Sequence, residues 1–122
     1  MNDFLYRVVS LEDWEHTQRL GRVPRCGSDE RDGFVHLSTE ETVIETANLY
    51  FELSEAPVAL EIDPKHLGND LKWERVASRG GAAFPHLYSE GIPLSAVRAV
   101  ISLDYSEGNG FTCGLKRELP VG

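Results

Sequence analysis

The run VRAVISLDY, Val97 to Tyr105, constrains the fold more than any other segment. It is dense in β-branched and aromatic residues, the turn-forming EGNG follows it, and FTCGL then returns, so a hairpin with a short second strand is predicted here. FLYRVVS, Phe4 to Ser10, reads as a first strand and GFVHLS as a second. PVALEID, Pro57 to Asp63, alternates Val58, Leu60 and Ile62 against Ala59, Glu61 and Asp63, which predicts a strand with one dry face. LKWERV, Leu71 to Val76, alternates again.

Between these strands the pattern predicts two helices. Ser10 is a natural cap for the first, with Asp13 in the first turn, Leu11, Trp14 and Leu20 as its apolar stripe, and Gly21 as its end. Gly21–Gly33 reads as a long polar loop holding Arg22, Arg25 and Arg31. Ser38 opens STEE, a capping-box pattern with Glu41, and the second helix carries Val43, Ala47, Tyr50 and Phe51 to about Leu53. PKHLGND is a turn, ASRGGAA a flexible loop, and IPLSAV a helical turn started by Pro93. Strand, helix, strand, helix and then several strands make an α+β chain, expected as a twisted split antiparallel sheet with two helices, in a single domain over residues 1–122.

Bulk properties narrow the function classes. A net charge of −8 argues against nucleic acid and anionic membranes as partners, because a basic face supplies most of that affinity. No apolar run approaches the roughly 20 residues of a membrane helix, and MNDFLYRVV lacks the pattern of a secretion leader. Cys26 and Cys113 have no metal-ligand spacing and read as reduced thiols of a cytoplasmic protein. The sequence does not set the oligomeric state; the acidic surface and final hairpin are compatible with a dimer.

Two segments carry the candidate chemistry. In FVHLS, strand alternation puts Phe34, His36 and Ser38 on one face; in FPHLY it puts Phe84, His86 and Tyr88 on one face. Pro85 favours extension by disfavouring a helical Phe84. Each row offers an aromatic ring, an imidazole and a hydroxyl, the kind of lining that small-ligand clefts use. The two rows are expected on opposite walls of one pocket for a charged metabolite. Taken singly, each histidine also fits a packed residue bonded to a backbone carbonyl, Tyr88 a packing residue and Ser38 a helix cap. Glu74 shares a face with Lys72 and is a candidate base or holder of a ribose hydroxyl. Arg75 and Arg79 beside Gly80 and Gly81 are candidate phosphate ligands. His36, His86 and Glu74 would also make a zinc or ferrous set, but no local ligand spacing supports it and no metal is expected. His16 and His66 read as surface residues. No P-loop, Rossmann fingerprint or nucleophile elbow is present.

DGFVHLST, ALEID, LKWE, GGAAFPHLY and IPLSAV, in this order from Tyr6 to about Leu103, resemble the domain-of-unknown-function family 952. RDGFVHLS and VALEID in turn resemble the ADP-ribosyltransferase-like superfamily, closest to the RNA 2′-phosphotransferases. That resemblance implies a split β-sheet around a cleft for NAD or an ADP-ribose-like nucleotide. Taken with the residue patterns above, His36, Glu74 and His86 are the expected catalytic groups, Glu74 by its position in a late strand, with Arg7, Arg31, Ser38, Arg75, Arg79 and Tyr88 as expected ligand-binding ones. In its terms the enzyme would be a glycosyl- or phospho-transferase; a non-catalytic nucleotide or small-anion binding module is the alternative. The chain departs from the superfamily at YRVVS, where Arg7 stands about where a histidine is expected and Val8 replaces a small glycine, narrowing the expected pocket.

Overall fold

Alternation in PVALEID sends Leu60 and Ile62 to one face of their strand and Ala59 and Glu61 to the other, and all four are buried. The expected single dry face is therefore corrected to two: the strand lies inside a sheet covered on both sides. The computed structural model describes residues 3–119; Met1, Asn2 and residues 120–122 lie outside the described residues. In chain order the elements are β1 (Leu5–Val9), α1 (Leu11–Leu20), β2 (Arg22–Pro24), α2 (Gly27–Asp32), β3 (Val35–His36), α3 (Val43–Tyr50), β4 (Val58–Ile62), β5 (Leu71–Val76), β6 (Ala82–Leu87), β7 (Gly91–Pro93), β8 (Val97–Ser106) and β9 (Gly110–Glu118). The fold is α+β, with three sheets of order β1-β4-β8-β9, β2-β7 and β3-β6-β5, every pairing antiparallel.

On one side of the four-stranded sheet, Leu5, Val9, Leu60, Ile62 and Val100 form the main core with Trp14 of α1 and Val35 and Leu87 of the three-stranded sheet. On the other side, Tyr6, Val8, Ala59, Ile101 and Phe111 pack under Val43 and Ala47 of α3. The buried Glu61 carboxylate on that second face accepts from Tyr6 (3.0 Å) and Arg98 (2.9 Å) and pairs with Lys116 (3.0 Å), so its burial is compensated.

Several local expectations match in detail. Ser10 caps α1 by accepting from the Asp13 amide, and Gly21 ends it at φ 78°. The apolar stripe of α1 differs: Trp14 and Thr17 are buried, whereas Leu11 and Leu20 are exposed. The predicted polar loop after Gly21 instead contains β2 and α2. β2 pairs with β7 at such close range that a Cβ on Gly91 would meet the Val23 carbonyl at 2.4 Å. The return strand β9 is longer than the expected FTCGL, running Gly110–Glu118. Among the described residues three α-helices are present where two were expected.

The start of α3 is a second correction. Ser38 does not cap it, because its backbone pairs in both directions with Tyr6 (2.8 and 2.7 Å) and its hydroxyl lies 3.0 Å from that of Thr46. A Thr39–Thr42 turn intervenes and the helix begins at Val43.

Leu60, without solvent exposure at the centre of the main core, sets a direct test of this packing. Leu60→Ala is expected to lower unfolding stability by about 2–5 kcal/mol, read as a drop in the urea midpoint at unchanged slope.

Candidate functional site

Among the described residues, β1 meets the chain just beyond β3 at an isolated bridge, Tyr6 with Ser38, and the two strands otherwise belong to separate sheets. A cleft of about 570 Å³ opens there, within the range of small-ligand sites. Its walls take Arg7, Val8 and Val9 from β1, His36 and Ser38 from β3 and its continuation, Phe84 and His86 from β6, and Thr46 and Tyr50 from α3. Cys26, Ser28, Arg31 and Asp32, at and around α2, Ser78 and Arg79, beyond β5, and the acidic Asp13 and Glu55 also line it. Val8 lines the cleft.

His36 and His86 are directly paired across β3 and β6, with ring centroids 5.7 Å apart. They belong to one wall, which corrects the expectation of opposite walls: the two segments are hydrogen-bonded neighbours of one sheet, so rows on the same face must lie side by side. Phe34 stacks on His86 at 4.0 Å and tilts against His36 at 4.7 Å.

His36 is held from below by α2. Asp29 and Asp32 are three residues apart on the helix and so lie on one side of it. Gly33, at φ 83°, turns the chain straight into β3, and the two carboxylates fold back onto the ring. Nδ1 lies 2.6 Å from Asp29 and Nε2 2.8 Å from Asp32. Asp29, fully buried, also accepts from the backbone amides of His36 (3.1 Å) and Cys26 (2.9 Å) and from both terminal nitrogens of Arg7 (3.3 and 2.5 Å). Burial by itself would raise the Asp29 pKa, yet the His36 ring and the Arg7 guanidinium outweigh it and hold the carboxyl far below its usual value of 3.8. Burial likewise works against the charge of Arg7, and Asp29 overcomes it, raising the guanidinium further. Arg7 also donates to the His36 carbonyl at 2.8 Å, and its buried Nε has no hydrogen-bond partner among the described residues. Arg7 thus ties β1 to β3 across the mouth of the split.

His86 is held from the side. Its Nδ1 lies 2.9 Å from Glu74 on β5, and Tyr88 donates to the same Glu74 oxygen at 2.6 Å. The Tyr88 hydroxyl and the His86 ring lower the Glu74 pKa, and Glu74 in turn raises that of Tyr88. Glu74 and Tyr88 do not line the cleft; they reach it only through His86.

The arginines separate. Arg79 bonds to Glu45 and Thr46 of α3 and stacks over Phe84, 4.4 Å from the ring centroid, so it crosses the cleft from the β5–β6 connection to the helix. Arg75 does not share its partners: it lies on β5, donates to the Gly81 carbonyl at 2.9 Å and stands outside the cleft lining, whereas Arg79 is the last residue of the turn Ala77–Arg79. Arg31 lines the cleft with an exposed side chain paired to Asp32. Sequence reasoning missed Asp32, Thr46 and Tyr50 as cleft residues, and Asp29 as the buried carboxylate behind His36. For α2 the signal was present in DERDG, with acids first, a base last and a terminal glycine. The helix start was hidden by a cysteine in the capping position. Among the described residues no group of three His, Cys, Asp or Glu side chains is placed to hold a metal ion, and no helix is long and apolar enough to cross a membrane.

The Arg7–Asp29 pair yields two expected outcomes. Arg7→Met leaves a buried carboxylate without its cation and should cost about 3–5 kcal/mol in chemical denaturation. Because the folded Asp29 value lies below the unfolded one, its contribution is complete above the ordinary carboxylate range. It drains as pH falls from about 5 towards 2 and through the folded value. The stability gap between wild type and Asp29→Asn should therefore narrow over that acid window.

Comparison with known proteins matches this architecture to a family. The model described as "Protein of unknown function (DUF952)" matches residues 8–100. The crystal structure of protein CC0527 from Caulobacter crescentus superposes with a TM-score of 0.80 at 36% identity, over 89% of this chain and 93% of that one. The solution NMR structure of CC0527 gives 0.71 at 38% identity, over 88% and 90%. No curated protein matches. With most of its length under the family model and a solved relative sharing the fold, the chain belongs to the DUF952 family.

Proposed function

We propose that the cleft binds NAD or an ADP-ribose-like nucleotide in the manner of an ADP-ribosyltransferase. The observation that carries this reading is the convergence of His36, Ser38 and His86, with Arg31 and Arg79, on one cleft at the split between β1 and β3. Arg79 is the side chain best placed for a diphosphate, since an entering anion would replace Glu45 as its partner. Arg31 offers a second guanidinium at the rim. Tyr50 and Phe84 supply aromatic surface for a planar base, and the Ser38 and Thr46 hydroxyls, 3.0 Å apart, supply polar contacts. Arg7 is engaged with Asp29 and serves the cleft by holding His36 in place. A cytoplasmic setting fits this ligand and the two free thiols, Cys26 and Cys113. Nucleic acid and membrane surfaces remain poor partners for a chain of net charge −8.

One observation favours the second reading, a binding module without turnover. Glu74, the glutamate assigned to polarise a ribose hydroxyl, is engaged by His86 and Tyr88 and stands outside the cleft. Arg75 is likewise withdrawn from any phosphate role by its bond to Gly81.

Incubation with NAD separates the readings. Release of nicotinamide, followed by chromatography, marks the transferase. A raised melting temperature without release marks the binder. Neither effect at millimolar NAD overturns both. In either positive case Arg79→Ala should weaken NAD binding by about tenfold or more, the loss expected for one charge-assisted contact, measured by calorimetry.

A further inference from the structure

Of the two imidazoles in the cleft, one is fully engaged. Both ring nitrogens of His36 face carboxylates, Asp29 and Asp32. His86 differs. Its Nδ1 meets Glu74, and its Nε2 has no hydrogen-bond partner among the described residues, although the ring lines the cleft. Phe34, stacked at 4.0 Å, fixes the plane of that ring. A carboxylate can only accept, so the Nδ1 facing Glu74 must carry the proton, and a neutral ring then has a bare Nε2.

We infer that Glu74 is a positioning residue. It holds His86 in the Nδ1-protonated tautomer and presents Nε2 to the cleft as a general base, while Tyr88 holds Glu74 in turn.

Glu74 lies on the edge strand β5, and its register places it opposite Phe84, two residues from His86 on the same face. The carboxylate therefore approaches the ring along the sheet and leaves the cleft side of His86 free. The other groups around the ring are consistent with this. Lys72 stands opposite His86 on β5; its amine lies 5.1 Å from the Tyr88 ring centroid, and its charge helps keep Glu74 ionised. His36, on β3, is occupied by its own carboxylates. The Tyr88 hydroxyl donates to Glu74, which removes it as a competing donor to His86. When Nε2 takes up a proton the ring becomes a cation, and Glu74 is in place as its counter-charge.

For the reaction, the inference rests on the transferase reading, in which Nε2 requires an acceptor that surrenders a proton as it bonds, written here for an O–H group. The C1′–N bond to nicotinamide breaks, and nicotinamide leaves with the electron pair. The acceptor oxygen bonds to C1′ and its proton goes to His86 Nε2. No oxidant, reductant or further reactant is needed.

The test reads the tautomer directly on ligand-free protein. Long-range proton–nitrogen correlation spectra are recorded at a pH where the rings are neutral, with His86 assigned by the signal lost in His86→Gln. Wild type is expected to show a protonated Nδ1 and a bare Nε2; the opposite tautomer overturns the inference. In Glu74→Leu the tautomer ratio should move by about tenfold or more towards Nε2–H, the change expected for one lost bond to a charged group. An unchanged ratio would remove Glu74 from the role. Tyr88→Phe keeps the carboxylate and should keep Nδ1–H; a flip as large as that of Glu74→Leu would assign the control to Tyr88 instead. Should Glu74→Leu not fold, the wild-type and Tyr88→Phe spectra still decide. No NAD is present, so failure of the nucleotide reading leaves this result standing, and a wrong tautomer sinks the positioning role alone.

Discussion

A carboxylate sealed from water needs every lone pair occupied, and Asp29 meets that demand with five hydrogen bonds: two from Arg7, two from His36 and one from the Cys26 amide. Those partners come from β1, from the entry to α2 and from β3. One buried anion therefore joins three elements that share little backbone pairing. Without it, the Tyr6–Ser38 bridge and the Arg7 bond to the His36 carbonyl would remain, but Arg7 would lose the carboxylate that fixes its guanidinium across the gap. The cleft exists because the strands belong to separate sheets; it keeps its shape because Arg7 and Asp29 span the gap.

The two histidines on the cleft wall owe their difference to what lies behind them. His36 stands over α2 and meets two carboxylates three residues apart on that helix. His86 stands beside β5 and meets one carboxylate, along the sheet. One ring is thus tied at both nitrogens and the other at one. The neighbouring Phe34, in contact with both imidazoles and with Tyr88 at 5.2 Å, packs the row into a rigid strip. Rigidity of this kind is what a site needs if its groups are to meet a ligand without reorganising.

Much of the fold was legible because local physics and final structure agree. Ser10, Gly21, Pro93 and the EGNG turn act as punctuation whose meaning is set by backbone geometry alone. Alternation in FVHLS and FPHLY correctly grouped Phe34 with His36 and Phe84 with His86, since strand period is a local property. The failures share a cause. Ser38 looks like a cap, but a distant strand claims its backbone. Val58–Ile62 looks half-exposed because Glu61 is charged, but Tyr6, Arg98 and Lys116 converge on it from other strands. Cys26 conceals the start of α2 because cysteine is a poor sign of a cap.

The amino-acid order alone determined the strand faces, both ends of α1, the α+β class and the placing of each imidazole on a strand face with an aromatic residue. These depend on contacts within a few residues, or on a period of two. Tertiary structure alone decided that the histidine rows share a wall, that Asp29 and Asp32 hold His36, that Glu74 backs His86 outside the cleft, and that Arg75 and Arg79 part company. Each of these depends on strand register or on the close of a turn. A shift of one residue in register exchanges the two faces of a strand, so such facts arise only when the sheets assemble.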